Sequence, residues 1–229
     1  MTTAKVDGRK RRWHQHKVDR RNELVDGTLE AIRRRGRDVS MDEIAADIGV
    51  SKTVLYRYFV DKNDLTTAVM MRFAQTTLIP NMAKALSSNL DGFDLTREII
   101  RVYVDTVASE PEPYRFVMAN SSASKKVIAD SERIIARMLA VMLRSRMQAV
   151  GMDTSGAEPW AYMIVGGVQL ATHSWMSDPR MPADELIDYL TMLSWNALCG
   201  IVEVGGSLEK FRSQAHPSPV LPPPGQDGR

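Results

Sequence analysis

The sequence has little cysteine and few aromatic residues, and the lack of cysteine excludes one class of protein. Cys199 is the single cysteine among 229 residues, and Phe, Trp and Tyr together make up 7%. One cysteine cannot form a disulfide within the chain, so a disulfide framework of the secreted kind is excluded. Cys199 lies in the apolar run 198–202 and is interpreted as an unreactive core thiol. We therefore expect a protein of the reducing cytoplasm.

Long apolar segments and strand-like alternation are also scarce. Residues 159–177 contain no Asp, Glu, Lys or Arg, but Gln169, Thr172 and His173 interrupt them, and they are barely long enough to span a bilayer. A buried helix and no membrane are therefore expected here. The basic N-terminus precedes no apolar segment, which argues against secretion. Apolar residues elsewhere recur at helical spacing, so the prediction is an all-α fold.

Motifs for catalysis and metal binding are missing. The sequence contains no P-loop, no H-E-x-x-H and no G-x-S-x-G. His14 and His16 form an H-x-H pair, but no third ligand stands near them in the sequence. We predict no catalytic residue, no metal site and no cofactor, and we do not expect an enzyme.

The clearest pattern that is present covers residues 40–62, where two short helices are joined by a tight turn. Ser40 and Glu43 have the spacing of a capping box, in which each side chain satisfies a backbone amide of the other. Gly49 supplies the left-handed residue that ends the first helix, and Ser51 caps the second. These signals predict a helix-turn-helix.

The second helix of this motif has two different faces. Val54, Leu55, Tyr58 and Phe59 are expected to pack back onto the first helix, with Tyr58 also within reach of DNA. The other face carries a cation, a hydroxyl group, an aromatic ring and a guanidinium, which suit phosphates and base edges in a major groove: Lys52, Thr53, Tyr56 and Arg57. The alternative is a helical hairpin with a solvated polar face that binds no DNA.

The segment resembles the DNA-binding domain of TetR-family transcriptional regulators. The resemblance covers roughly residues 20–72 and is carried by four groups of residues: Asp42-Glu43-Ile44-Ala45, Gly49-Val50-Ser51, Leu55-Tyr56-Arg57-Tyr58-Phe59 and Lys62. It implies an N-terminal helix-turn-helix DNA-binding domain followed by a C-terminal helical ligand-binding and dimerisation domain. The DNA contacts expected from the motif and the resemblance together are Ser51, Lys52, Thr53, Tyr56, Arg57, Tyr58 and Lys62.

Positive charge is concentrated beside the motif. Residues 1–72 carry 16 Lys and Arg against 11 Asp and Glu, whereas the remainder carries 14 against 17. The run 9–12 reads as part of a flexible basic arm, whose Arg11 and Arg12 are expected to contact DNA phosphates or a minor groove. A merely solubilising tail is the alternative. The second basic run, 33–35, is interpreted as a charge cluster that complements the end of its helix.

Breaks at Gly and Pro residues divide the rest of the chain into helices. They are predicted at about 77–89, 95–109, 112–119, 124–150, 158–177 and 183–204. The expected organisation is a basic arm at 1–22, the DNA-binding domain at 23–75, an effector-binding and dimerisation domain at 76–212, and a Pro-rich disordered tail at 213–229.

The last two of these helices are apolar around much of their circumference, with residues such as Trp195 and Leu198 in the second of them. A single subunit has little to cover that surface with, so the two helices are predicted to form a four-helix interface in a homodimer, which Gly166 and Gly167 would allow to pack closely. The resemblance implies the same. Two recognition helices in a dimer read a palindromic operator in double-stranded DNA.

An effector pocket is implied by the resemblance rather than by the residues alone. Apolar and adaptable side chains with a few polar groups suit such a pocket, and the candidates are Tyr103, Phe116, Met138, Met142, Tyr162, Gln169 and His173. Plain core packing explains the same residues, and a core role for His173 is the alternative to orienting a ligand. The predicted function is a repressor released from its operator by a small apolar effector. The alternatives are an activator or architectural DNA-binding protein and, last, an enzyme.

Overall fold

A computed structural model describes the backbone of residues 4–119 and 121–216 and the side chains of residues 11–116, 129–130 and 132–216. Every regular element in these ranges is helical. The elements are α1 (Ala4–Arg35), α2 (Met41–Asp47), α3 (Lys52–Tyr58), α4 (Lys62–Phe73), a π-helical segment (Ala74–Leu78), α5 (Ile79–Leu86), α6 (Gly92–Ala108), α7 (Pro111–Ala119), α8 (Ser121–Ala149), α9 (Ala157–Ser177), α10 (Ala183–Glu203) and α11 (Leu208–Ser213). The all-α prediction is confirmed.

The helix-turn-helix is formed by α2 and α3, and its local signals act as predicted. The Ser40 hydroxyl accepts the Glu43 N–H at 3.3 Å, and the Ser40 N–H donates to Glu43 Oε2 at 2.9 Å. Gly49 has a φ of +69°, which L side chains rarely adopt. Ser51 caps α3 by accepting the Val54 N–H at 3.3 Å. Both short helices are therefore fixed by hydrogen bonds at their first turns.

The head, which consists of α1 from about residue 21 together with α2, α3 and α4, has its own hydrophobic core. Leu24 and Ile32 of α1 meet Ile44 of α2 and Leu55 of α3, and all of them are almost fully buried. The core also takes in Phe116, which belongs to α7 and is fully buried. One side chain from outside the DNA-binding motif thus completes the core of the head.

The body is built from α5 to α10. Helix α8 packs along α9, and α6 packs against α10. Ile100 and Val104 of α6 lie with Val168 of α9 and Ile187 of α10 in one buried cluster. The predicted helices are present with ends shifted by a few residues, except that the first begins as a π-helical segment.

The π-helical segment has an identifiable cause in Pro80. Proline lacks an N–H, and its ring would clash with the carbonyl of Thr76 in a regular α-helix. The chain avoids that register because the Ile79 N–H donates to the Ala74 carbonyl, five residues back. Helices α4 and α5 therefore form one continuous rod with a wider turn in the middle.

The N-terminal arm differs from the prediction of a flexible segment, because α1 begins at Ala4 and runs unbroken for 32 residues. Residues 10–21 contain no Gly or Pro, and Lys, Arg and Gln favour helices. Gln15 also donates to Asp19 one turn later at 2.8 Å. The predicted Pro-rich tail lies mostly outside the described residues, which end at 216, and α11 occupies 208–213 before it.

Candidate nucleic-acid interface and ligand cavity

The outer face of α3 is exposed and polar. Thr53, Tyr56 and Arg57 all lie on it with exposed side chains, and Lys52 donates to Asp42 of α2 at 2.7 Å. This hydrogen bond raises the pKa of Lys52, so the ammonium keeps its charge. The pair is on the surface, where such pairs contribute little, and a phosphate can compete for the lysine.

Three other predicted contacts have intramolecular roles in the structure. Ser51 caps α3, while Tyr58 is half-buried against the head core with the Arg57 guanidinium 5.3 Å from its ring centre. The Lys62 ammonium lies 5.3 Å from the centre of the Phe116 ring, a cation–π arrangement. Lys62, the first residue of α4, therefore contacts α7 through Phe116.

The basic run at the end of α1 is engaged in ion pairs. Arg35 donates to Asp47 at 2.6 Å. Arg33 donates to Glu110 through Nε at 2.8 Å and through a terminal nitrogen at 2.5 Å, which raises its pKa. The run therefore ties α1 to α2 and to the segment that opens α7.

Beside the Arg33–Glu110 pair, the chain approaches Glu112 closely at Gly36. Gly36 has a φ of +87°, and a Cβ atom there would lie 3.1 Å from Glu112 Oε2. The same Oε2 accepts the backbone N–H of Arg37 at 3.1 Å. We call these contacts of Arg33, Gly36 and Arg37 with Glu110 and Glu112 the seam, because they join the head to the body.

A cavity of about 70 Å³ lies next to the seam, between α4, the π-helical segment, α6, α7, α8 and α9. Its walls are mostly apolar, with two tyrosines, one glutamine and one glutamate. The lining residues are Val69, Met70, Phe73, Ala74, Leu78, Tyr103, Val107, Pro113, Tyr114, Glu132, Ile135, Val165 and Gln169. Such a volume admits a few water molecules, so a larger ligand must displace side chains.

A second, smaller void extends the cavity. It measures about 30 Å³ and is lined only by apolar side chains apart from Tyr103. Tyr103, Ile135 and Val165 line both spaces. The apolar void therefore adjoins the cavity that carries Tyr114, Glu132 and Gln169 in its wall.

Both tyrosines of the cavity are neutral hydrogen-bonding groups. Burial raises the pKa of Tyr103 far above its ordinary value and that of Tyr114 to about 12. The Tyr114 hydroxyl is hydrogen-bonded to His173 Nδ1 at 2.6 Å. Tyr114 therefore connects the cavity wall on α7 to α9.

The candidate pocket residues are dispersed in the structure. Tyr103 and Gln169 line the cavity, and His173 reaches it only through Tyr114, lying itself in a separate surface cleft. The others lie elsewhere: Phe116 in the head core, Met142 against the cluster around Leu139, Met138 half-buried on α8, and Tyr162 exposed on α9. Sequence reasoning missed Tyr114, which stands two residues before Phe116 and so faces nearly the opposite way on α7.

An open apolar face runs along α9 and α10. Leu170 is 70% exposed and Leu193 72% exposed, and Met163, Tyr189 and Met192 are exposed beside them. A Cβ atom added at Gly166 or Gly167 would meet nothing within 4 Å. Trp195, expected on the same face, is half-buried and packs edge-on against Phe93 of its own subunit, with ring centres 5.7 Å apart.

Within the described ranges, no three His, Cys, Asp or Glu side chains are grouped to hold a metal ion. None of the described helices is long and apolar enough to cross a membrane.

Two family models match the chain. The model described as bacterial regulatory proteins, tetR family, matches residues 24–69, and that of the tetracyclin repressor-like C-terminal domain matches residues 81–207. The first covers the helix-turn-helix with the C-terminal part of α1 and most of α4, and the second covers α6 to α10 with most of α5. Together they account for both halves of the described fold.

Relatives and solved structures agree with these models. An HTH-type transcriptional regulator of Mycobacterium tuberculosis is 84% identical over 98% of this chain and 96% of its own length. The HTH-type transcriptional activator FasR of Mycolicibacterium smegmatis is 25% identical over 79% of this chain and 83% of its own. A tetR-family regulator from Streptomyces coelicolor has the same fold, with a TM-score of 0.61 at 21% identity over 84% of this chain and 88% of its own. The chain therefore belongs to the TetR family of transcriptional regulators, with a helix-turn-helix DNA-binding domain.

Proposed function

We propose that this regulator acts as a homodimeric repressor that is released from a palindromic operator by a small apolar effector. The observation that carries the proposal is the position of α7. Its residues Pro113 and Tyr114 line the cavity, while Glu112, on the same helix, holds the backbone of Arg37 in the head. A ligand in the cavity and DNA on α3 would thus act on one short helix.

The open face of α9 and α10 supports the dimer. Its large apolar side chains recur at helical spacing, and the glycines beside them leave room for a second backbone. Two antiparallel pairs of such helices form a four-helix bundle. In that arrangement two heads present their α3 helices about one DNA turn, roughly 34 Å, apart.

The shape of the cavity indicates the kind of effector. An apolar void that adjoins a cavity with Tyr114, Glu132 and Gln169 in its wall suits a molecule with an apolar chain and one polar group. The volume of about 70 Å³ in the cavity is too small for such a molecule. Binding therefore has to displace the side chains that line the cavity.

Release would follow as a shift in population. The effector favours the state in which the walls are displaced, including Tyr114 on α7 and Phe73 on α4. If that state holds the two heads at a spacing that does not fit both half-sites, operator affinity falls by the ratio of the effector's affinities for the two states. An effector without such a preference changes nothing.

Activation is the second candidate, since the relative FasR carries the name of a transcriptional activator. An activator uses the same head and the same dimer but recruits polymerase when bound. In vitro transcription from a template that bears the operator separates the two functions. Transcript levels that rise with added protein would favour activation.

The direct test starts from random DNA. We expect selection with the purified protein to yield an inverted repeat, and a fluorescence anisotropy titration to show lower affinity when one half-site is scrambled. Apolar compounds that raise the melting temperature should then weaken operator binding. Binding without any sequence preference would contradict the proposed function. Because its operator is part of the chromosome, we expect the protein to be located in the cytoplasm.

A further inference from the structure

The first turns of α1 form a basic helix that projects from the head. Residues 11–19 are all exposed, and among the described side chains of α1 the first to be buried is Leu24. The helical backbone from residue 4 to residue 19, which we call the N-terminal extension, is about 24 Å long at 1.5 Å per residue. The exposed stretch 11–19 is not needed for the core of the head.

The charge of this part of the chain is strongly one-sided. Between residues 9 and 21 the only acidic residue is Asp19, while the basic residues are Arg9, Lys10, Arg11, Arg12, Lys17, Arg20 and Arg21. The described members stand on several sides of the helix, and Arg20 and Arg21 at its base are paired with Glu23 and Asp64. Clustered Lys and Arg of this kind attract the phosphate backbone of nucleic acid.

The base of the extension lies beside the recognition helix. The Arg21 guanidinium is 4.6 Å from the centre of the Phe59 ring, directly after α3, and it donates to Asp64 in the first turn of α4 at 2.8 Å. The extension therefore leaves the head close to where α3 ends and α4 begins. A duplex held by α3 passes near the same end of the head.

We propose that the N-terminal extension is a second, sequence-independent DNA contact, which lies along phosphates outside the base pairs read by α3. The inference rests on the proposed operator binding and adds a partner surface to it: the duplex that flanks each half-site. At 3.4 Å per base pair, 24 Å corresponds to about seven base pairs. Because the extension is helical, the length of flanking DNA that it can contact is fixed by the length and direction of the helix. A flexible segment would have no such fixed limit.

The test varies the DNA and keeps the operator constant. Anisotropy titrations use one operator with flanks lengthened stepwise on both sides. Affinity of the wild-type protein should rise with flank length and level off at about seven base pairs of flank. The variant Arg11→Gln/Arg12→Gln/Lys17→Gln should lose this rise, and each lost phosphate contact should reduce the change in affinity between 50 and 200 mM salt about 3.5-fold.

Two controls separate local contact from general effects. Lys84→Gln/Arg137→Gln/Arg144→Gln removes the same charge from exposed positions on α5 and α8 and should keep the dependence on flank length. His16→Pro breaks the extension without removing a formal charge and should lose that dependence, whereas His16→Ala should keep it.

The outcomes distinguish this inference from the proposed function. Wild-type affinity that does not change with flank length overturns the inference while operator recognition stands. The same holds if His16→Pro keeps the full dependence on flank length, or if the basic residues support binding to phosphatidylglycerol vesicles but not to flanking DNA. Absence of any preference for the operator defeats the proposed function itself.

Discussion

Glu110 accepts two hydrogen bonds from the Arg33 guanidinium, at 2.8 Å and 2.5 Å, so the end of α1 is tied to the residue that precedes α7. The arginine side chain is 33% exposed and the glutamate side chain 19% exposed. A bidentate pair in such a position fixes an orientation as well as a distance. It is the charged pair of the seam, beside the backbone contact of Arg37 with Glu112.

The first prediction concerns this link. Glu110→Gln should reduce the ratio of operator dissociation constants measured with and without effector by up to about fivefold, since a partly exposed pair contributes at most about 1 kcal/mol. Anisotropy titrations give the ratio. Asp130→Asn is the matched control, because it breaks the Arg133–Asp130 pair of 2.7 Å on the surface of α8. An unchanged ratio in Glu110→Gln would show that the seam does not couple effector binding to operator binding.

The second prediction tests the face of α3. Tyr56→Ala and Arg57→Ala should each weaken operator binding by about 5-fold to 150-fold, the range of about 1–3 kcal/mol for a good base contact. Circular dichroism should show intact helices, because both side chains are exposed. Arg144→Ala removes an exposed arginine from the body and should bind as the wild type does. Wild-type affinity in both α3 variants would show that the protein contacts DNA through another surface.

The third prediction tests the open face of α10. Leu193→Glu should give a monomer that has lost specific operator binding, because a carboxylate buried in the interface without a partner costs several kcal/mol. Light scattering reports the mass of the same sample that is titrated with DNA. Val141→Glu, at a position on α8 that is 64% exposed, should stay dimeric. A dimeric Leu193→Glu variant would place the interface on another surface.

The fourth prediction fills the cavity. Ala74→Leu adds three carbon atoms to the wall formed by the π-helical segment, which should raise the effector concentration needed for release at least about tenfold while operator affinity is kept. Overpacking costs about 1–3 kcal/mol, so the melting temperature is recorded as well. Ala149→Leu, at an exposed position on α8, is the control. Normal release from Ala74→Leu would exclude this cavity as the effector site.

The fifth prediction uses pH to test the capping box. Hydrogen bonds from the backbone and hydroxyl of Ser40 lower the pKa of Glu43 from its ordinary 4.5. A lowered folded-state pKa means that the stabilisation is fully present above pH 4.5 and disappears as the pH falls through the folded value. Thermal unfolding should therefore separate wild type from Glu43→Gln at pH 7 and bring them together at low pH. A difference that persists in acid would contradict this account.

The head was largely predictable because its signals are local. Ser40 with Glu43, Gly49 and Ser51 each act within three or four residues, so their spacing in the sequence already specifies the hydrogen bonds and the turn. The positions of Ile44 and Leu55 in the core follow from helical periodicity. No long-range information is needed for these elements.

The cavity was not predictable in the same way. Both Tyr114 and Phe116 of α7 are aromatic, and the rotation of this short helix between head and body decides which of them faces the cavity. Likewise, Trp195 turns away from the open face because Phe93 and Gly92 of α6 offer it a place in the subunit. Such choices depend on neighbours distant in sequence.

The unbroken length of α1 means that a tilt of the helix displaces its two ends by different distances. Its 32 residues span about 48 Å, with Arg33 of the seam at one end, the core of the head around Leu24 to Ile32, and the N-terminal extension at the other end. For a rotation about the core of the head, residue 4 lies several times farther from the pivot than Arg33 does. A tilt of about 5° would carry the far tip through roughly 2–3 Å, while the seam moves by less than about 1 Å.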